Sequence, residues 1–196
     1  MNPEPLTLSV EDDSVAAPST ETREARVRRL IQTHYDSLWR FVRRLGVEPT
    51  DLDDAMQQVF EIAARRLNDV SVESERSFLF ATAFRIGSEQ RRRHDARREI
   101  DDAELVDLES PAPEPDILAD QARARAVLDR VLAAMPTELR AVFMLYEIEE
   151  MTMAEIAGLL GLPPGTVASR VRRATAEFEA RVERLQAEMR RKRVLP

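Results

Sequence analysis

Met151 to Ala174, MTMAEIAGLLGLPPGTVASRVRRA, can be read residue by residue as a helix, a tight corner and a second helix. Thr152 and Glu155 form a T-x-x-E capping box, in which the hydroxyl accepts from the Glu155 amide and the carboxylate reaches back to the Thr152 amide. Met151 and Ile156 flank the box as a hydrophobic staple. Met153, Ile156, Ala157 and Leu160 then recur at helical spacing, and Gly161 stands where a helix ends in the left-handed conformation that only Gly adopts cheaply. Pro164 suits the first position of the next helix, because its missing N–H costs nothing there and its φ is already helical. Val167, Val171, Ala174 and Phe178 make the buried stripe of that helix, leaving Thr166, Ala168, Ser169, Arg172 and Arg173 pointing away. A small, polar and basic face on the second helix of such a unit can enter a major groove and read base edges or phosphates. The plainer alternative is a helical hairpin with a solvated Arg face.

Outward from this unit, the composition predicts an all-α chain. Of 196 residues only five are Gly and 5% are aromatic, while 33% are charged, a mixture poor in turns and rich in helix formers. The length allows one ordinary domain or two small helical ones. There is no Cys, which excludes disulfides and thiolate metal sites and fits a reducing cytoplasm. His34 and His94 cannot build a zinc site alone, so no metal or other cofactor is expected. No apolar run reaches membrane-spanning length, and the acidic, Pro-interrupted start MNPEPLTLSVEDDSVAAPSTE is unlike a signal peptide. The net charge of −7 hides a segregation. Asp101, Asp102, Glu104, Asp107 and Glu109 make an acidic middle, whereas Arg91, Arg92, Arg93, Arg97, Arg98 and the run 190–193 are basic blocks, and the local field matters more than the sum.

In chain order, residues 1–24 read as a disordered acidic tail. From Ala25 to Leu45 the positions Val27, Leu30, Ile31, Leu38, Phe41, Val42 and Leu45 predict an amphipathic helix closed by Gly46. Thr50 or Asp51 is expected to cap the next helix, whose stripe is Leu52, Ala55, Met56, Val59, Phe60 and Ala63 and whose other face shows Asp53, Asp54, Gln57 and Glu61. A polar loop at 67–77 precedes a third helix from about Glu75 to Arg93. Its apolar residues Phe78, Leu79, Phe80, Thr82, Ala83, Phe84 and Ile86 spread round the circumference, as expected of a helix central to a bundle. The sharper reading leaves some of these aromatics free to stack on unpaired bases, with the Arg cluster tracking phosphates. Gly87 weakens this helix by about 1 kcal/mol relative to Ala. Residues 96–118, with SPAPEPD, read as a Pro-rich acidic linker. Beyond it, Ala124, Val127, Leu128, Val131, Leu132 and Met135 form a helix that stops at Pro136, and Leu139, Val142, Phe143 and Tyr146 form another. The last helix continues through Phe178, Val182, Leu185 and Met189 to a basic tail at 190–196. No nucleophile-and-base pair or phosphate loop stands out, so a binding protein rather than an enzyme is expected.

This order of parts resembles an extracytoplasmic-function (ECF) sigma factor of the sigma-70 family, a bacterial initiation subunit of RNA polymerase. DLDDAMQQVF resembles the family's polymerase-binding helix, with Asp54, Gln57, Val59 and Phe60 at its spacing. AAMPTELRAVFMLYEIEEMTMAEIA resembles the start of the upstream-promoter domain, with Pro136, Arg140 and Phe143 in matching places, and GTVASRVRRA is close to the recognition-helix signature. The resemblance implies a domain two over 25–95 that binds polymerase core through Asp54, Gln57 and Phe60. It also places capture and melting of the minus-10 element on Asn68, Phe80, Arg85, Arg91 and Arg92. A domain four over 119–189 then meets the minus-35 element through Thr166, Ala168, Ser169, Arg170, Arg172 and Arg173. It further implies promoter DNA and polymerase core as partners, an anti-sigma factor as inhibitor, and no insertion in a membrane. Phe78 stands where the family usually has Trp, Arg85 where it has Asn, and Ala168 where a basic residue is frequent. The rival readings are a helix-turn-helix regulator that never touches polymerase core and a helical adaptor whose Arg face binds acidic partners. The linker reading predicts that limited proteolysis of the free protein cuts first between about residues 96 and 118 and yields two helical fragments; equal resistance along that stretch would refute it.

Overall fold

A computed structural model describes residues 21–100 and 117–194, and all regular structure among them is helical. The tail at 1–20, the middle of the Pro-rich segment and the last two residues lie outside the described residues. Helix α1 spans Arg23–Leu45, α2 Leu52–Arg66 and α3 Glu75–Ile100. They are followed by α4 Ile117–Ala133, α5 Thr137–Phe143, a π-helical turn Met144–Ile148, α6 Met153–Leu160 and α7 Pro164–Val194.

Helix α1 begins where the Thr22 hydroxyl accepts from the Ala25 amide and ends at Gly46, whose φ of 99° lets its N–H return to the Arg43 carbonyl. Its stripe Leu30, Leu38, Phe41, Val42 and Leu45 is buried, but Ile31, two turns before Leu38 on the same face, is exposed. Helix α2 contributes Leu52, Ala55, Met56, Val59 and Ala63 to the same core. The expected side-chain cap on α2 is not formed. A 3-10 turn, Pro49–Asp51, runs straight into the helix, so Asp51 has φ −103°, ψ −4° instead of the extended backbone that an N-cap needs. Helix α3 packs on α1, α2 and α6, as its all-round apolar pattern predicts. Phe80 meets Phe41 edge-to-face with centroids 5.2 Å apart. Gly87 has a reason here: a Cβ at that position would stand 3.1 Å from the Leu45 side chain, so its small size lets α3 approach the end of α1.

Glu75, buried at the start of α3, receives Arg26 and, at 2.9 Å, Arg29 from α1, while Arg26 also donates to the Val70 carbonyl at 2.6 Å. Loss of either member would strand a buried charge, which costs far more than such a pair adds to stability.

In the second half, Leu132 and Met135 share a buried cluster with the α5 residues Leu139, Ala141, Val142 and Phe143 and the following Met144 and Leu145, and Val131 is buried beside α7. Phe178 of α7 stacks on Phe143 at 4.4 Å. Two apolar residues expected on helix stripes, Val127 and Met153, are each 37% exposed.

The halves share one continuous core and are tied by polar contacts. Arg44 Nε lies 2.7 Å from Asp129 Oδ1, Arg76 donates to the Glu149 carbonyl, and Arg91 donates to the Thr137 hydroxyl. Arg140, only 5% exposed, donates to the carbonyls of Arg44 at 2.9 Å, Ala133 at 2.7 Å and Met135 at 2.9 Å. Replacing Arg140 by Met should therefore lower unfolding stability by about 3 kcal/mol, because it leaves buried carbonyls without donors. Arg140→Lys should recover only part of this in a denaturant titration, since an ammonium lacks the planar fork that spans separate acceptors.

Candidate nucleic-acid and polymerase interfaces

The capping box is formed in full: the Glu155 amide donates to Thr152 Oγ1 at 3.2 Å and the Thr152 amide to Glu155 Oε2 at 2.8 Å. These bonds to Thr152 hold the Glu155 carboxyl below the usual carboxylate range. Met151 and Ile156 are both buried beside it, as a staple requires. Gly161 takes φ 65°, and the Leu162 amide returns to the Ala157 carbonyl at 3.0 Å, so the chain turns within a few residues. Pro163 then accepts from the amides of Thr166 and Val167, and α7 leaves the corner with Val167, Val171 and Ala174 buried.

This anchoring decides what the opposite side presents. Arg172 and Arg173 are exposed and make no ion pair among the described residues. Thr166, Ala168 and Ser169 are half-buried, and the Ser169 hydroxyl donates to the Thr166 carbonyl at 2.8 Å. Arg170 differs from its neighbours: its guanidinium lies 2.9 Å from Glu138 on α5. It thus ties the start of α7 to α5 in this arrangement, while Arg172 and Arg173 stay without an ion pair among the described residues.

The expected strand-capture residues do not form one surface. Asn68 is exposed in the short turn Leu67–Asp69, and Arg85 and Arg92 are exposed on α3, Arg92 pairing with Glu89 at 2.8 Å. Hydrogen bonding by Arg92, and then the charges of Arg92 and Arg93, hold the Glu89 carboxyl below its ordinary range. Phe80 corrects the base-stacking expectation: it is fully buried, 0% exposed, with its ring against Phe41. Stacking a base on it would require dismantling the core. Arg91 is half-buried and turned to Thr137 on α5 and Asp95 on α3, so it too is engaged within the chain.

The α2 face keeps its expected form. Asp53, Asp54, Gln57 and Glu61 are exposed, with Gln57 Nε2 donating to Glu61 Oε1 at 2.9 Å. Phe60 is half-buried and stacks on Tyr35 of α1, centroids 6.1 Å apart and planes 10° from parallel. Tyr35 and Ile31 were missed from sequence as surface residues. Together with Phe60 they put a small apolar patch beside the acidic face, the composition of a docking surface with a polar rim.

One half thus carries a helix-turn-helix with a free basic face, and the other an exposed acidic face beside an aromatic pair: an all-helical protein with the build of a helix-turn-helix DNA-binding protein. Residues 125–177 match the family model described as Sigma-70, region 4. Over 193 residues the chain is 31% identical to the RNA polymerase sigma factor CnrH of Cupriavidus metallidurans, covering 92% of this chain and 96% of that protein. It is 29% identical to the ECF RNA polymerase sigma factor SigE of Mycolicibacterium smegmatis over 82% of this chain, which spans 60% of that relative's length. The structure of CnrH in complex with the cytosolic domain of CnrY is similar with a TM-score of 0.58 and 26% identity, over 83% of this chain and 90% of that one. The fold is also that of the sigma factor RpoE in complex with the anti-sigma factor NepR from Bartonella quintana, with a TM-score of 0.62 and 20% identity over 81% and 97% of the two chains. The chain belongs to the ECF sigma factors of the sigma-70 family.

The free basic face carries a prediction. Arg172→Ala should cost about 1–3 kcal/mol in affinity for upstream-element duplex if the side chain grips a base, with relaxed preference at one position. A phosphate grip would instead weaken all sequences alike and flatten the salt dependence. Titrations of the Arg172→Ala, Arg173→Ala double variant at several salt concentrations distinguish these outcomes, and parental binding throughout would show that the reading face lies elsewhere.

Proposed function

We propose that this chain binds RNA polymerase core through Asp54, Gln57 and Phe60 on α2, with Tyr35 beside them, and directs initiation at promoters that it selects itself. Residues 25–95 act as the polymerase-binding and minus-10 half, 96–118 as the connection, and 119–189 as the minus-35 half. Asn68, Arg85 and Arg92 supply single-strand contacts. Thr166, Ala168, Ser169, Arg172 and Arg173 face the upstream duplex. The chain acts by binding and positioning in the cytoplasm and performs no chemistry of its own. An anti-sigma factor is proposed as its inhibitor, because both structural relatives named above were solved with a bound inhibitor or cytosolic partner domain.

The observation that carries the reading is that one chain pairs a sigma-type helix-turn-helix with an exposed acid and Gln face on α2, and that its similarity to CnrH runs through both. A helix-turn-helix regulator independent of polymerase would have no use for that first half. Asp54 and Gln57 lie side by side, three residues apart on one helical face, while Met56, Val59 and Ala63 hold the helix to the core.

Asp54→Arg with Gln57→Ala should change unfolding stability by no more than roughly 0.5 kcal/mol, as at other surface sites. At an interface with a basic partner the same change places like charges together and costs several kcal/mol. Binding to core polymerase and run-off transcription should both be lost, with upstream-duplex binding intact. A normally folded double variant that still directs promoter-specific transcription at the parental rate would overturn the assignment.

A further inference from the structure

The turn that joins α2 to α3 is held largely from outside itself. Its backbone closes through the Val70 amide on the Leu67 carbonyl at 3.3 Å and the Ser74 amide on the Ser71 carbonyl at 3.0 Å. Leu67 is buried, but Asn68, Asp69, Ser71 and Glu73 are exposed and Val72 is 59% exposed, so the turn packs little of its own surface. The hold comes from α1. Arg23, Arg26 and Arg29 stand three residues apart on its first turns and meet, in that order, the end of α2, the turn and the start of α3. Arg23 donates to the Ala64 carbonyl at 2.6 Å, and Arg29 donates to Glu75 Oε2 at 2.9 Å. Arg26 spans the gap between them, with its Nε on Glu75 and its Nη2 on the Val70 carbonyl at 2.6 Å.

We propose that Arg26 and Glu75 are positioning residues for strand selection: the buried carboxylate orients the guanidinium, which fixes the turn over α1 and with it the place where Asn68 meets an unpaired base. This inference rests on the single-strand reading of Asn68 above. Glu75 is 3% exposed, and a buried ion pair adds little stability over carbon of the same volume, whereas it does hold one arrangement of the chain. A carboxylate at the start of a helix is favoured by the helix dipole, but that benefit needs no Arg and is open to an exposed acid as well. The distinctive feature is the fork. One planar guanidinium serves a carboxylate and a carbonyl together, which an ammonium on a flexible stem does not. Arg29, held on its other side by Glu21 at 3.1 Å, closes the second oxygen of Glu75 and keeps the carboxylate from swinging away. The Val70 carbonyl that Arg26 grips is two residues from Asn68. An amide that reads a base edge works within hydrogen-bond distance, so a drift of about 1 Å in the turn loses the contact.

The test separates holding the turn from holding the fold. Arg26→Lys keeps a charge beside Glu75 and gives up the second arm of the fork. In the full chain, amide exchange over residues 67–74 should quicken about 10-fold, the lower end of what a hydrogen bond from a charged donor is worth, with exchange in α2 and α7 unchanged. The full chain bound to core polymerase then selects from a non-template strand randomised over the minus-10 element. Arg26→Lys should relax the preference at one position about 5-fold or more, on the scale of a base contact, and Asn68→Ala should relax the same position. In the Asn68→Ala background Arg26→Lys should add no more than about 2-fold, because residues that act through one contact are not additive.

Arg26→Leu with Glu75→Leu removes the pair and strands no charge, a replacement that is often neutral or stabilising. It should fold as the parent does, yet show the same fast exchange and the same relaxed position, and it takes the place of Arg26→Lys if that variant loses helical signal. Parental exchange over 67–74 overturns the proposal, as does parental strand preference in both Arg26 variants while Asn68→Ala relaxes it. Parental preference in Asn68→Ala counts instead against the reading of that residue, and the positioning role then stands or falls on whether Arg26→Lys relaxes a position through the rest of the turn. A parent that selects no strand with core polymerase counts against the sigma-factor reading, and the exchange result still decides whether the pair holds the turn.

Discussion

Arg140 joins three backbone carbonyls from the ends of two helices at one buried point, and much of the architecture follows from where its guanidinium is held. Its acceptors are the carbonyl of Arg44 in the last turn of α1, that of Ala133 at the end of α4 and that of Met135 just beyond. Helix ends leave carbonyls without intrahelical partners and carry partial negative charge, so a cation there serves as hydrogen-bond donor and dipole partner together. Burial, then the nearby charges of Arg91 and Arg181, pull its pKa down to about 10, which leaves it charged at neutral pH. Its Nε finds no acceptor among the described residues, so the site is not fully satisfied. Beyond those bonds the site contributes orientation: the guanidinium reaches all three carbonyls only while α5 keeps its direction out of Pro136.

That orientation reaches the recognition helix through packing. Phe143 on α5 stacks with Phe178 on α7, and Glu138 on α5 holds Arg170 on α7, so the start and the middle of the recognition helix are both referred to the helix that Arg140 fixes. The corner at Gly161 sets the angle from the other side. With Val167, Val171 and Ala174 inside, the rotation of α7 has no freedom left, and Arg172 and Arg173 point outward as a consequence.

The parts that sequence made legible are those set by short spacings. The Thr152 box, the Gly46 and Gly161 turns, the stripes of α1, α2 and α7 and the free Arg172 and Arg173 all depend on residues within two turns of one another. What escaped depends on partners far along the chain. Arg140 meets Arg44 across 96 positions, Arg44 meets Asp129 across 85 and Arg76 meets Glu149 across 73. Phe80 illustrates the limit within one helix: a Phe on a helix apolar all round has no local mark of which side its neighbours cover, and here Phe41 and Arg76 cover it. Arg91 and Arg170 belong to basic runs in which every member has the same local pattern, and only the position of Thr137 and Glu138 separates the engaged Arg from the free one. Asp51 has the composition of a cap but not its backbone, because Pro49 starts a 3-10 turn one residue too early.

The charge distribution shows why a chain of net charge −7 can serve a polyanion. The exposed cations at the start of α7 and the acidic side of α2 belong to different halves, so each half carries a local field of its own sign despite the negative sum. Inside the molecule the same two signs meet across the interface, Arg44 with Asp129 and Arg76 with Glu149.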